Sequence, residues 1–75
     1  MAASNFTKKI LEFITILKDA RVTVSPAETL DAFVALSHID FTDRLQFKQA
    51  LATSLIKDYT DIPVFERCFQ EFFER

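Results

Sequence analysis

Apolar residues recur along this chain at the three-to-four-residue spacing of helices, in four stretches separated by short polar connectors. In the first, Phe6, Ile10, Phe13, Ile14 and Leu17 form one stripe, and Lys8, Glu12, Thr15 and Asp19 fall opposite it. The spacing predicts a helix from a cap at Asn5 to about Asp19. Leu11 and Ile16 flank the stripe on opposite sides, so the apolar surface is wider than one packing partner needs. The run Ile14–Thr15–Ile16 is β-branched and would suit a strand. The period of the whole segment outweighs it. Ala20 to Val24 reads as an extended connector.

The clearest local signal follows. Ser25–Pro26–Ala27–Glu28 is a capping box: Ser25 can accept from the Glu28 amide, Glu28 can reach back, and Pro26 takes the position whose N–H is not needed. The helix beyond it is expected to bury Leu30, Phe33, Val34 and Ser37, with Ala27 beside them, and to end near His38. Asp40 to Asp43 is a second start signal, with Asp40 or Thr42 as the cap. From there to about Lys57, Leu45, Phe47, Ala50, Leu51, Ala52, Leu55 and Ile56 cover most of the circumference, leaving Gln46, Gln49 and Thr53 as a polar strip. Such a helix is expected at the centre. After a polar loop from Lys57 to Thr60, Asp61 caps a last helix with Pro63 in its first turn. Its apolar residues are Val64, Phe65, Cys68, Phe69, Phe72 and Phe73. The fold class is therefore all-α, a compact bundle of four or five short helices, with Phe13, Leu30, Phe33, Leu51, Leu55 and Phe69 in one core.

Composition narrows this further. Seventy-five residues, 49% of them hydrophobic, suffice for a single domain over 1–75 and argue against disorder. There is no glycine. Phosphate-cradling loops and dinucleotide fingerprints are thereby excluded, and the helices must stop without the residue that usually ends them. Nine basic and eleven acidic residues are spread evenly along the chain, so no basic patch points to nucleic acid. No run approaches the ~18 apolar residues of a membrane span. The polar opening Met1–Lys9 precedes no small-residue cleavage site, and a soluble cytoplasmic protein is expected.

Candidate chemistry is sparse. His38 and Cys68 are the only residues of their kinds, with no partner nearby to orient either for nucleophilic or acid–base work. Cys68 lies within an apolar stripe and reads as a buried structural thiol. His38 lies at a helix C-terminus, where an imidazolium meets the negative end of the dipole. Asp31, Asp40, Asp43, Asp58 and Asp61 lack the spacing and the glycine of a calcium loop. Asp40, Asp43 and Asp61 are explained as helix N-terminal residues, alongside the capping pair Ser25 and Glu28. The basic residues read as a solvated face paired at i,i+4, as in Lys8–Glu12, Asp40–Arg44 and Glu71–Arg75. No catalytic, cofactor or metal site is expected, and no internal repeat is present. The aromatic cluster Phe65, Phe69, Phe72 and Phe73 serves mainly the core, with the remainder a protein-binding surface.

The stretch R-V-T-V-S-P-A-E-T-L-D-A-F-V-A-L, from Arg21 to Leu36, resembles the N-terminal region of bacterial CoxE-like proteins that carry a von Willebrand factor A domain. So do I-D-F-T-D-R-L-Q-F-K-Q-A-L-A-T-S-L-I-K from Ile39 to Lys57 and D-I-P-V-F-E-R-C-F-Q-E-F-F from Asp61 to Phe73. The matching positions are built from helix caps and apolar spacing: Val24, Ser25, Glu28, Asp31, Ala32, Leu36, Asp40, Asp43, Arg44, Phe47, Ala50, Leu51, Leu55, Phe65, Phe69 and Phe72. Where the family usually has glycine in the first connector, this chain has Ala20–Arg21. The resemblance implies a helical, non-enzymatic region that precedes a von Willebrand A domain. Such proteins act beside MoxR-type AAA+ ATPases as adaptors in maturing metalloenzymes or other complexes. The family's metal-binding motif belongs to the von Willebrand domain, so none of its residues carries over. The chain is then expected to be the N-terminal domain of a longer protein, or a stand-alone copy of it.

Two rival classes stand beside this. A general helical interaction module, death-fold-like or regulator-binding, would be favoured by six helices. An acyl-carrier domain would need an Asp-Ser-Leu site at a helix start, whereas the nearest triplet is Thr53–Ser54–Leu55 in mid-helix. The expected partner is protein, namely the downstream von Willebrand A domain or the ATPase, with self-association as a further expectation. The apolar surplus places the contact at Leu11, Ile16, Phe72 and Phe73.

Overall fold

The computed structural model describes residues 5–40 and 42–74. Among them are four α-helices: α1 (Asn5–Asp19), α2 (Pro26–Leu36), α3 (Arg44–Leu55) and α4 (Ile62–Phe73), with a 3₁₀ turn at Tyr59–Asp61 before α4. The expected all-α bundle is therefore what the chain forms. Two pairings organise it: α2 lies on α3, α1 lies on α4, and a smaller α3–α4 contact joins the pairs.

In α1 the expected stripe holds. Ile10, Phe13, Ile14 and Leu17 are buried, while Phe6 is left partly open at the start. Asn5 lies within the helix as its first residue. The end of α1 answers how a chain without glycine stops a helix. Arg21 adopts φ 73°, the left-handed conformation usually left to glycine. The Val22 N–H then donates to Leu17 O (3.0 Å) and the Arg21 N–H to Lys18 O (2.9 Å). This is a Schellman closure, completed by the buried pair Leu17 and Val22. The connector is thus a turn followed by extended chain, and Val22 and Val24 enter the core.

α2 begins as its sequence dictates. Glu28 N donates to Ser25 Oγ (3.2 Å), and Ser25 N donates to Glu28 Oε1 (2.9 Å). Its buried face differs from expectation. Ala32 and Leu36 are buried and Phe33 is half-buried, whereas Ala27, Leu30, Val34 and Ser37 are exposed. The helix is rotated by about a third of a turn from the expected setting. Apolar residues surround it, so periodicity selects no face. The close approach of α3 favours the side carrying the small Ala32. Leu30 therefore leaves the expected core, and Phe33 sits at its edge.

α3 starts later than expected. Its cap is Asp43, whose carboxylate accepts from Gln46 N (3.1 Å). Asp40 caps no helix: Oδ1 accepts from the N–H (2.9 Å) and hydroxyl (2.6 Å) of Thr42, closing a local turn. The same chemistry recurs ahead of α4, where Asp58 Oδ1 accepts from the Thr60 N–H (2.9 Å) and hydroxyl (2.7 Å). At this scale the chain does repeat itself, as D-x-T-D at 40–43 and 58–61. The second copy continues through the 3₁₀ turn, which takes up the second half of the expected polar loop. Asp61 holds the N-cap position of α4 in a helical conformation (φ −86°, ψ −8°) and makes no side-chain cap bond. α3 itself buries Phe47, Leu51, Ser54 and Leu55, and leaves Leu45 outside.

The centre is aromatic. Phe13 of α1 meets Phe65 (5.7 Å between centroids, 79°), Phe69 (6.1 Å, 90°), Phe72 (5.8 Å) and Phe73 (5.1 Å) of α4. Edge-to-face pairs of this kind add to the area they bury. Phe47 carries the network into α3 through Phe69 (5.9 Å) and Phe73 (5.2 Å).

Candidate functional site

The residues expected to contact a partner fare unequally. Leu11 stands 46% exposed on α1. Ile16, Phe72 and Phe73 are half-buried and packed against the core, because α4 lies along the flank of α1 that carries Ile16. Ile16 and Phe72 still line a shallow cleft with Cys68 and Glu71. Phe73 lines a second cleft with Phe6, Arg44 and Phe47. Other exposed apolar side chains lie elsewhere, the most exposed being Tyr59 in the 3₁₀ turn. On α2, Leu30 is 66% and Val34 is 59% exposed, one turn apart, and on α3 Leu45 is exposed too. Sequence reading missed this strip because it assigned Leu30 and Val34 inward.

The charged residues are arranged across helices rather than along them. Among the described residues the ion pairs are Arg44–Glu74 (3.7 Å) and Lys48–Glu66, both joining α3 to the α4 segment. The expected pair Asp40–Arg44 does not form, since Asp40 is engaged by Thr42 and Arg44 reaches instead to Phe73 O (3.1 Å). The pair Glu71–Arg75 lies partly outside the described residues. Lys9 and Lys48 rest over the Phe72 and Phe69 rings, at 5.3 Å and 5.6 Å from their centroids. Their ammonium groups meet the negative ring faces while covering the aromatic cluster's edges.

The chemistry-bearing side chains are placed as follows. Cys68 is buried beside Phe65 and Phe69, and that burial pushes its thiol up, with Glu71 adding to the shift and Arg67 opposing it. It is held as a protonated thiol at neutral pH, a poor nucleophile. His38 is exposed in the turn after α2, its backbone N–H donating to Ala35 O (3.1 Å). Thr42 and Thr60, through hydroxyl and then backbone bonds, hold the Asp40 and Asp58 carboxyls below their ordinary 3.8. Among the described residues no three His, Cys, Asp or Glu side chains gather into a metal-binding group. No helix among them is long and apolar enough to cross a membrane.

The described residues thus form a small helical bundle of four α-helices. Residues 10–75 match the family described as the CoxE N-terminal helical bundle domain. The chain belongs to that family. No curated protein and no solved structure matches it. The CoxE family match starts within α1 and takes in the α1 closure, the capping box, both D-x-T-D turns and the aromatic seam of α4. Arg21, in the first connector of this CoxE N-terminal domain, adopts the left-handed conformation usually left to glycine.

Proposed function

We propose that this CoxE N-terminal domain is a non-enzymatic protein-interaction module. In this reading it works next to a von Willebrand factor A domain and a MoxR-type AAA+ ATPase, as part of an adaptor in the maturation of metalloenzymes or other complexes in the bacterial cytoplasm. The observation that carries the reading is the apolar surface left over once the core is filled. Leu30, Val34, Leu45 and Leu11 all point outward from helices that already bury a full face against neighbours. Of these, Leu30 and Val34 share one face of α2 a turn apart, and an apolar pairing of that kind supports an interaction site there. The protonated, buried Cys68 and the solitary His38 support a role without covalent chemistry.

The test is isothermal titration of the domain against the von Willebrand A domain of a CoxE protein and against a MoxR-type ATPase, with sedimentation velocity for self-association. Binding to one of them, weakened in the double variant Leu30→Asp with Val34→Asp at unchanged fold, is the expected result. Absence of binding to both removes the adaptor role and leaves a general helical interaction module.

A further inference from the structure

We infer that the outward side of α2 docks a helix of a partner protein, one whose own apolar residues are bordered by lysine or arginine. This rests on the reading of the domain as a protein-interaction module and specifies the partner's chemistry. α2 carries apolar residues on two sides. Ala32 and Leu36 are buried and Phe33 is half-buried on the side packed against α3. On the far side Ala27, Leu30 and Val34 are exposed, the last two by 66% and 59%. Their steps of three and then four residues keep them in line along the helix, the alternation by which two helices interlock. A strip of that spacing fits the apolar face of another helix, whose anchors recur at the same intervals.

Charge decides which helix. Glu28 and Asp31 are the charged residues of α2, which contains no lysine or arginine. Glu28 is committed to the Ser25 N–H (2.9 Å). Asp31 is exposed one turn from both Ala27 and Val34, on the border of the strip, and neither ion pair among the described residues involves it. An apolar strip with an uncompensated carboxylate on its border favours a cationic side chain across from it. A second copy of the chain is the poorer occupant. Antiparallel packing that sets Leu30 against the other copy's Val34 centres the pair on Ala32, so Asp31 would face its own counterpart across the two-fold axis. Parallel packing sets Asp31 against the half-buried Phe33, with no cation to meet it.

Amide correlation spectra of the chain, titrated with helical peptides three heptads long, test this. The first peptide has leucine at a and d and lysine at e and g. The second replaces the lysines by glutamate, and the third replaces the leucines by serine. Like charges at e and g keep the peptides from pairing with themselves. The first should shift resonances centred on Ala27 to Val34 and bind about two- to fivefold tighter than the second, the scale of an exposed ion pair. The third should leave them unmoved. Asp31→Asn should erase the preference for lysine, and Leu30→Gln with Val34→Gln should abolish binding of both leucine peptides. Asp31 contributes no ion pair to the fold, so Asp31→Asn is the decisive variant. Equal binding of the lysine and glutamate peptides, shifts centred off α2, or a preference that survives Asp31→Asn overturns the proposal. So does a dimer in sedimentation whose dilution moves the α2 resonances, because the occupant is then a second copy. Lysine-selective binding on α2 by a domain that captures neither the von Willebrand A domain nor the ATPase keeps the docking site and removes the proposed function. Capture of either one with the α2 resonances unmoved does the reverse.

Discussion

The α1–α4 pair and helix α2 fold under different instructions. In α1 and α4 apolar and polar residues are segregated by position, and the buried sets Ile10, Phe13, Ile14, Leu17 and Phe65, Cys68, Phe69 follow from spacing alone. α2 has the best start signal in the chain, with both capping-box bonds formed, yet its inward face is Ala32 and Leu36 rather than Leu30 and Val34. A cap fixes where a helix begins. It says nothing about how the helix is turned about its axis, which only contrast between faces can encode. Where contrast is missing, side-chain size at the crossing decides, and the bulkier residues remain outside for other uses.

The sharpest way to break the contrast is to empty the aromatic centre. Phe13→Ala should cost about 3–5 kcal/mol, comparable to the roughly 3–5 kcal/mol a core of this size supplies, so thermal melts should show little cooperative structure. Next comes the inward position of α2. Ala32→Leu should destabilise by about 1–3 kcal/mol in urea denaturation, because the α2–α3 approach has no room for the added carbons. Removing the start signal is milder: Ser25→Ala should cost about 1 kcal/mol and leave partner binding untouched.

Acid should weaken both halves through the matching turns. Asp40 and Asp58 titrate below 3.8 in the folded chain, so their contribution is present at neutral pH and is lost as pH falls through those lowered values. The urea midpoint should drop below pH 3.8, and Asp40→Asn with Asp58→Asn should flatten that drop. The smallest effect is expected on the outer face of α2. Leu30→Asp should change stability by no more than about 0.5 kcal/mol; a loss near that of Phe13→Ala would mean that Leu30 belongs to the core after all.

The helices and most of the central residues were legible because each rests on local chemistry: spacing, Ser25 with Glu28, Pro63 near a start. The start of α3 was placed too early, at Asp40, because aspartate serves equally as a cap or as a turn-former, and the neighbouring Thr42 hydroxyl holds Asp40 in the turn. The surface was less legible. That Phe72 and Phe73 lie half-covered, and that Arg44 stands beside Phe6 and Phe73, depends on how separate helices meet. Within the sequence, the three-residue step from Arg44 to Phe47 was the only trace of that cleft.

Cys68 has a use that its inertness makes possible. It is the only cysteine in the chain and is 3% exposed, on the inner side of α4. Cys68 lines the shallow cleft between α1 and α4, so the rate at which a thiol reagent labels it under native conditions reads how often that cleft widens. The molecule thus carries its own clock for the opening of its aromatic seam. Any partner that clamps the end of α4 against α1 and α3 must slow that clock, and it does so without a dye, a tag or a substitution.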